Sequence, residues 1–202
     1  MPVFFDNSCI FIHIPKTAGT TINHMFNVKK YKKTDALYEN DGNIEWDHAT
    51  AHMVKLKNEK RYELFYKFAI VRNPYDRLVS EYFFKKESND IRIVDCSQLK
   101  FDEYIDFLYK NFDKIMGEKH SIKSHFIPQS NFILSNVNIF KFENIKDCFD
   151  MIEEKFNIKN TNEFKNKSTH DFYEAYYDRK LKQKVADIYY LDFKLLGYDL
   201  KL

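Results

Sequence analysis

The sequence predicts an α/β fold of three layers, a central parallel sheet flanked by helices, and three observations carry that prediction. Apolar residues of the kind found in strands buried on both faces dominate 9–14 (Ile10, Phe11, Ile12, Ile14) and 66–71 (Phe68 to Val71). Segments of helical period alternate with these strands, and no internal repeat or low-complexity linker interrupts them. At 202 residues and 44% hydrophobic content the chain can bury one proper core but not two comfortable ones, so residues 1–202 are expected to form a single domain.

The first strand, 9–14, rests on Ile10, Phe11, Ile12 and Ile14, and Pro15 ends it by removing a backbone donor. A turn follows at once through Lys16, Thr17, Ala18, Gly19, Thr20 and Thr21 into a helix at 19–27, whose pattern begins at Ile22. Amides of Thr17 to Thr21 at a helix start can cradle a phosphate; Gly19 permits close approach of the backbone, and Lys16 adds a mobile charge. The order differs from the GxxxxGK[ST] triphosphate loop, because Lys16 precedes the only glycine and no magnesium ligand is evident. The plain alternative is a solvated turn with a stray lysine.

A polar, glycine-containing loop is expected to about residue 46, then a helix over 50–61 and a strand over 66–71. Residues Arg72 to Tyr82 read RNPYDRLVSEY: Asn73 suits an N-cap, Pro74 the first helical position, and Asp76 the positive end of the dipole. That helix is expected over 74–85, with Leu78, Val79, Tyr82 and Phe83 facing the core and Asp76, Arg77 and Ser80 on a polar face. Arg72 and Ser80 could together hold a second phosphate; alternatively Arg72 pairs with Asp76 and Ser80 is merely solvated. A mobile insert is expected at 86–99. Helix 101–111, strand 138–142, helix 145–156 and helix 179–191 complete the chain, and both motifs fall where ligands bind in such sheets, at the carboxyl ends of strands.

Composition excludes several classes. A net charge of +2 gives no global field for nucleic acid or membrane. The start, MPVFFDNSCIFIHI, has no basic segment and its apolar run is broken by Asp6 and Asn7, which predicts neither signal peptide nor membrane span. Cys9, Cys96 and Cys148 are too few and too scattered for a disulfide framework. Lys29, Lys30, Lys32 and Lys33, with Lys55, Lys57, Lys60 and Arg61, could line the approach of an anionic ligand or form an ordinary solvated face. Trp46, Tyr31 and Tyr38 could stack on sugar rings.

Taken together, Pro15–Thr21 and Arg72–Ser80 resemble the two motifs of the sulfotransferases that use 3′-phosphoadenosine-5′-phosphosulfate, in particular the carbohydrate branch related to heparan and chondroitin sulfotransferases, here without the membrane anchor of the animal Golgi members and so expected to be of soluble, cytoplasmic, microbial type. Further matches are His48-Ala49-Thr50-Ala51, His125-Phe126-Ile127-Pro128-Gln129, Phe142-Glu143-Asn144, Asn166-Lys167-Ser168, and the closing stretch from Ile188-Tyr189 to Tyr198. The resemblance implies a P-loop-like nucleotide-binding sulfotransferase fold that moves a sulfuryl group from that donor to a hydroxyl of a saccharide, whether capsule, cell-surface polymer or glycolipid. It further implies that Lys16, Thr17, Ala18, Gly19, Thr20 and Thr21 hold the 5′-phosphosulfate and that Arg72 and Ser80 hold the 3′-phosphate. By analogy with phosphoryl transfer, Lys16 would follow charge onto the bridging oxygen, with no metal required.

For the base, His48 ranks first and His52 is its rival; at i and i+4 they share a face if a helix has already begun. The spacing also fits metal ligands, but HATAH lacks the glutamate of HExxH and a third ligand. His13 is expected to be strand core or edge, His125 to line the acceptor cleft or to be structural, and Glu143 to orient a catalytic group or cap a strand end. Two other functions fit the same features: a small P-loop-type phosphoryl-transfer kinase, and a non-catalytic nucleotide-binding module.

Overall fold

A computed structural model describes residues 3–27, 48–88, 91, 93–117, 121–159 and 170–201. Lys29, Tyr31, Tyr38, Trp46 and the rest of residues 28–47, with Asn166–Ser168, lie outside the described residues. In chain order the elements are β1 (Val3–Phe4), β2 (Cys9–Ile12), α1 (Gly19–Met25), α2 (Ala51–Lys57), α3 (Glu59–Leu64), β3 (Tyr66–Val71), α4 (Pro74–Ser88), α5 (Phe101–Gly117), β4 (Asn138–Lys141), α6 (Ile145–Phe156) and α7 (Arg179–Leu196), with short 3₁₀ turns between some of them. They form two compact units, Met1–Val71 with Asn131–Asn166 and Arg72–Ser130 with Lys167–Leu202.

The first unit holds a four-stranded sheet in the order β1-β2-β3-β4. β2 and β4 both pair in parallel with β3, with Phe11 opposite Phe68 and Ile70 opposite Phe140. The expected all-parallel sheet needs one correction: β1 is antiparallel to β2, with Val3 opposite Ile10. Only Phe5 to Ser8 separate β1 from β2, and so short a connection reverses the chain; the amide of Ser8, in left-handed conformation, bonds to Phe5 O at 3.0 Å. β2 stops at Ile12, short of the expected residue 14, because the amide of Ile14 turns back onto Ile12 O. One sheet face, Cys9, Phe11, Phe68 and Ile70, packs against Ile22 and Met25 of α1 and Cys148, Phe149 and Ile152 of α6.

The helix expected over 50–61 is two helices. The amide of Asn58 closes α2 on Val54 O, and its side chain accepts from Arg61 N to open α3, so one residue caps both. Of the basic run on these helices, Lys55 is paired with Glu63 and Glu59, which is the solvated-face arrangement.

In the second unit α4, α5 and α7 enclose a core that includes Tyr75, Leu78, Val79, Tyr82, Tyr104, Leu108, Val185 and Phe193. α5 runs six residues past its expected end because Ile115 continues the buried stripe. α7 continues to Leu196, where Gly197 at φ 66° supplies the left-handed cap. Within 86–99, the stretch expected as a mobile insert, α4 extends to Ser88 and Val94 and Cys96 are buried in this core, while residues 89, 90 and 92 lie outside the described residues. The expected polar face of α4 is buried too. Arg77, Glu81 and Lys85, one turn apart, are 3%, 0% and 1% exposed, and charges so placed must find partners. Arg77 donates to the carbonyls of His125 and Ile127, Glu81 meets His125 Nδ1 at 2.8 Å, and Lys85 Nζ lies over the Phe126 ring.

Burial fixes the state of the three thiols. It pushes Cys9 far up, Cys148 to about 12 and Cys96 to about 11. At pH 8 a thiol-exchange reagent should therefore modify none of them until the chain is unfolded; prompt labelling of the native protein would contradict this core. Unfolded thiols ionise near about 8.5 while the folded ones keep their protons, so these groups should lower stability as pH rises from about 9 toward 11, read as a falling urea midpoint.

Candidate functional site

In the first unit the turn after β2 is built from unusual backbone. Lys16 and Ala18 both stand at φ 67°, a left-handed conformation costly to non-glycine residues, and such alternation folds backbone amides into a concave nest. The Thr17 hydroxyl, fully buried, donates to Ile14 O at 2.8 Å and ties the turn to the strand end. Thr21 N bonds back to Ala18 O, whereas the amides of Thr17, Ala18, Gly19 and Thr20 have no backbone acceptor among the described residues. The nest therefore presents donors over Thr17–Thr20, with Thr20 exposed and Lys16 half-buried.

The requirement at Gly19 is steric. A β-carbon there would stand 1.8 Å from Nε2 of His13. His13 in turn stacks on Phe11 and lies with its ring 4.4 Å from that of His48. His48 Nδ1 is 2.9 Å from His13 O. A carbonyl only accepts, so Nδ1 carries the hydrogen and the lone pair of a neutral His48 lies on Nε2, the tautomer suited to taking a proton. The contact chain Gly19–His13–His48 brings His48 to the phosphate-type turn.

His52 is not part of this chain. α2 begins at Ala51, with Thr50 as its N-cap accepting from Met53 N, so His48 precedes the helix and the i, i+4 relation between the two histidines is not helical. His52 is exposed on α2, with no hydrogen bond or ring contact to the turn among the described residues. His13, expected only as strand core or edge, is the residue whose part the sequence concealed; its position one residue past the strand was the available signal. Among the described residues no three His, Cys, Asp or Glu side chains group as a metal site.

In the second unit Asn73 opens α4 as expected, its side chain accepting from Tyr75 N and its carbonyl from Arg77 N. Arg72 donates through Nε to Asp76 at 2.7 Å, and both are largely buried. The Asp76 pairing is thus real, but Ser80, one turn beyond Asp76, is 4% exposed rather than solvated. Gln129 is the other residue whose part its local sequence does not reveal. Its side chain grips the backbone of Arg72 at both polar atoms, Oε1 accepting from Arg72 N at 2.9 Å and Nε2 donating to Arg72 O at 2.7 Å. His125 faces Glu81, and Glu143 lies in the 3₁₀ turn Phe142–Asn144 that leads into α6.

The His13 contact makes a direct forecast. Gly19→Ala should displace the imidazole and destabilise the protein by about 1–3 kcal/mol, the usual cost of overpacking. Urea denaturation measures it, and an unchanged midpoint would mean that His13 does not pack there.

No curated protein and no solved structure matches the chain. The family model described as "Sulfotransferase family" matches residues 3–199, a span that includes both the Pro15–Thr21 turn and the Arg72–Ser80 helix start. The chain belongs to the sulfotransferase family.

Proposed function

We propose that the chain, acting as a single domain over residues 1–202, transfers a sulfuryl group from 3′-phosphoadenosine-5′-phosphosulfate to a saccharide or glycolipid hydroxyl, in the cytoplasm. The observation that carries this reading is the Lys16–Thr20 nest in a member of a family of sulfotransferases: four amides without a backbone acceptor among the described residues suit a phosphate oxyanion, and Lys16 stands ahead of the glycine. The amides of Thr17, Ala18, Gly19 and Thr20, with the Thr20 and Thr21 hydroxyls, hold the 5′-phosphate. Arg72, with Ser80, holds the 3′-phosphate by charge-assisted hydrogen bonds.

The acceptor oxygen forms a new bond to sulfur as the bond from sulfur to the bridging oxygen breaks. The acceptor proton passes to Nε2 of His48, whose Nδ1–H is kept oriented by His13 O, as supports a general base. The bridging oxygen's electron pair stays with the departing adenosine 3′,5′-bisphosphate, and the ammonium of Lys16 neutralises the charge that grows there. His52 is a second proton acceptor only if acceptor binding moves α2.

Lys16→Ala should abolish turnover while adenosine 3′,5′-bisphosphate still binds. Arg72→Ala should weaken that nucleotide by about 1.5–3 kcal/mol, the scale of a hydrogen bond to a charged group, as measured by calorimetry. Wild-type protein that takes up no bisphosphate would end this reading. His48→Ala should lose on the order of 10²–10⁴ in single-turnover rate, and His52→Ala little; the reverse pattern would pass the base to His52.

A further inference from the structure

We infer that Gln129 and Asp192 are positioning residues for the 3′-phosphate, acting through Arg72; this rests on Arg72 being the 3′-phosphate ligand. All the residues involved lie within the second unit. Arg72 is the first residue after β3, and its peptide must be fixed before its guanidinium can be aimed. Gln129, fully buried, does this by matching one donor and one acceptor to the Arg72 backbone, as a neighbouring strand would. At the far end of the side chain, Nε of Arg72 is fixed on Asp76 at 2.7 Å. The arginine is thus held at both ends.

Gln129 needs its own anchor, since a buried amide on a short 3₁₀ turn has little to fix it. Asp192 of α7, also fully buried, supplies it. Its two carboxylate oxygens each accept one backbone amide at 2.8 Å, Oδ2 from Gln129 N and Oδ1 from Ser130 N. Burying a carboxylate is costly unless its oxygens are satisfied, and two aligned amides do so here. α7 therefore reports on Arg72 through two residues: Asp192 seats the turn, the turn seats Gln129, and Gln129 seats the Arg72 peptide. Neither Gln129 nor Asp192 touches the nucleotide in this scheme.

The chemistry of each link selects its residue. Glutamate at 129 could still accept from Arg72 N, but its second oxygen would face Arg72 O with like partial charge instead of donating to it. Asparagine at 192 would turn an NH₂ group toward one of two amide donors. Both changes preserve shape and disturb only the hydrogen-bond pattern.

Calorimetry on the full chain with adenosine 3′,5′-bisphosphate and with adenosine 5′-monophosphate tests this. Gln129→Glu should weaken the bisphosphate by about tenfold or more, with the monophosphate changed by less than about twofold. Added to Arg72→Ala, it should bring less than about twofold further loss, because both act on one contact. Equal weakening of both nucleotides, or losses that multiply in the double variant, would overturn the inference by reducing Gln129 to a general stabiliser. If Arg72→Ala itself left the preference for the bisphosphate intact, the 3′-phosphate reading would fall, and this inference with it. Thermal melts follow folding; should Gln129→Glu not fold, Asp192→Asn carries the same comparison, with the same results supporting or overturning it.

Discussion

The parallel pairing of β2 with β3 is the constraint on which the rest of the structure depends. All four residues of β2 and five of the six in β3 are buried, so the strands themselves offer no side chain to a ligand. Parallel strands also end on the same edge of a sheet, the edge at which ligands bind in open α/β folds. In the first unit the residues beyond β2 are His13 and the Pro15–Thr20 turn. The one charged residue inside these strands, Lys67, is neutralised locally: its ammonium donates to Tyr62 O and Glu63 O, capping the C-terminus of α3.

Residues just beyond a strand have no ladder to hold them, and each unit fixes them by other means. In the first unit the fixation is backbone strain and close packing: left-handed Lys16 and Ala18, the Thr17 hydroxyl on Ile14 O, and the His13 ring filling the space where Gly19 lacks a side chain. In the second it is buried charge. Arg77, Glu81 and Lys85 on α4 hold residues 125–127, and Asp192 on α7 holds residues 129 and 130. Buried ions and strained backbone stabilise poorly for what they cost, which is reason to look for function where they concentrate.

What the sequence made legible was whatever depends on near neighbours. β3 and α6 have the bounds that their own residues predict, and Asn73 and Pro74 start α4 because capping is decided within four residues. The turn at Lys16–Thr21 and the start at Arg72 were readable for the same reason. Long-range partners were not. β1 exists only because Val3 and Phe4 find β2, and Asn58 splits a helix through a side-chain contact that competes with a continuous pattern. The buried stripe of α4 looks like a solvated face until the carbonyls of His125 and Ile127 are seen beside Arg77. Gln129 and Asp192 are separated by 63 positions, and nothing in either segment names the other.

Everything proposed for the chemistry turns on whether the turn after β2 receives a phosphosulfate rather than a triphosphate, and whether the chain transfers its sulfuryl group. To decide it, purified wild-type protein is offered a panel of glycans with ³⁵S-labelled 3′-phosphoadenosine-5′-phosphosulfate, and in parallel with γ-³²P-labelled ATP, each with magnesium and with chelator. The expected result is ³⁵S in a saccharide product with and without chelator, and no ³²P. Transfer of ³²P dependent on magnesium, with none of ³⁵S, would contradict the assignment.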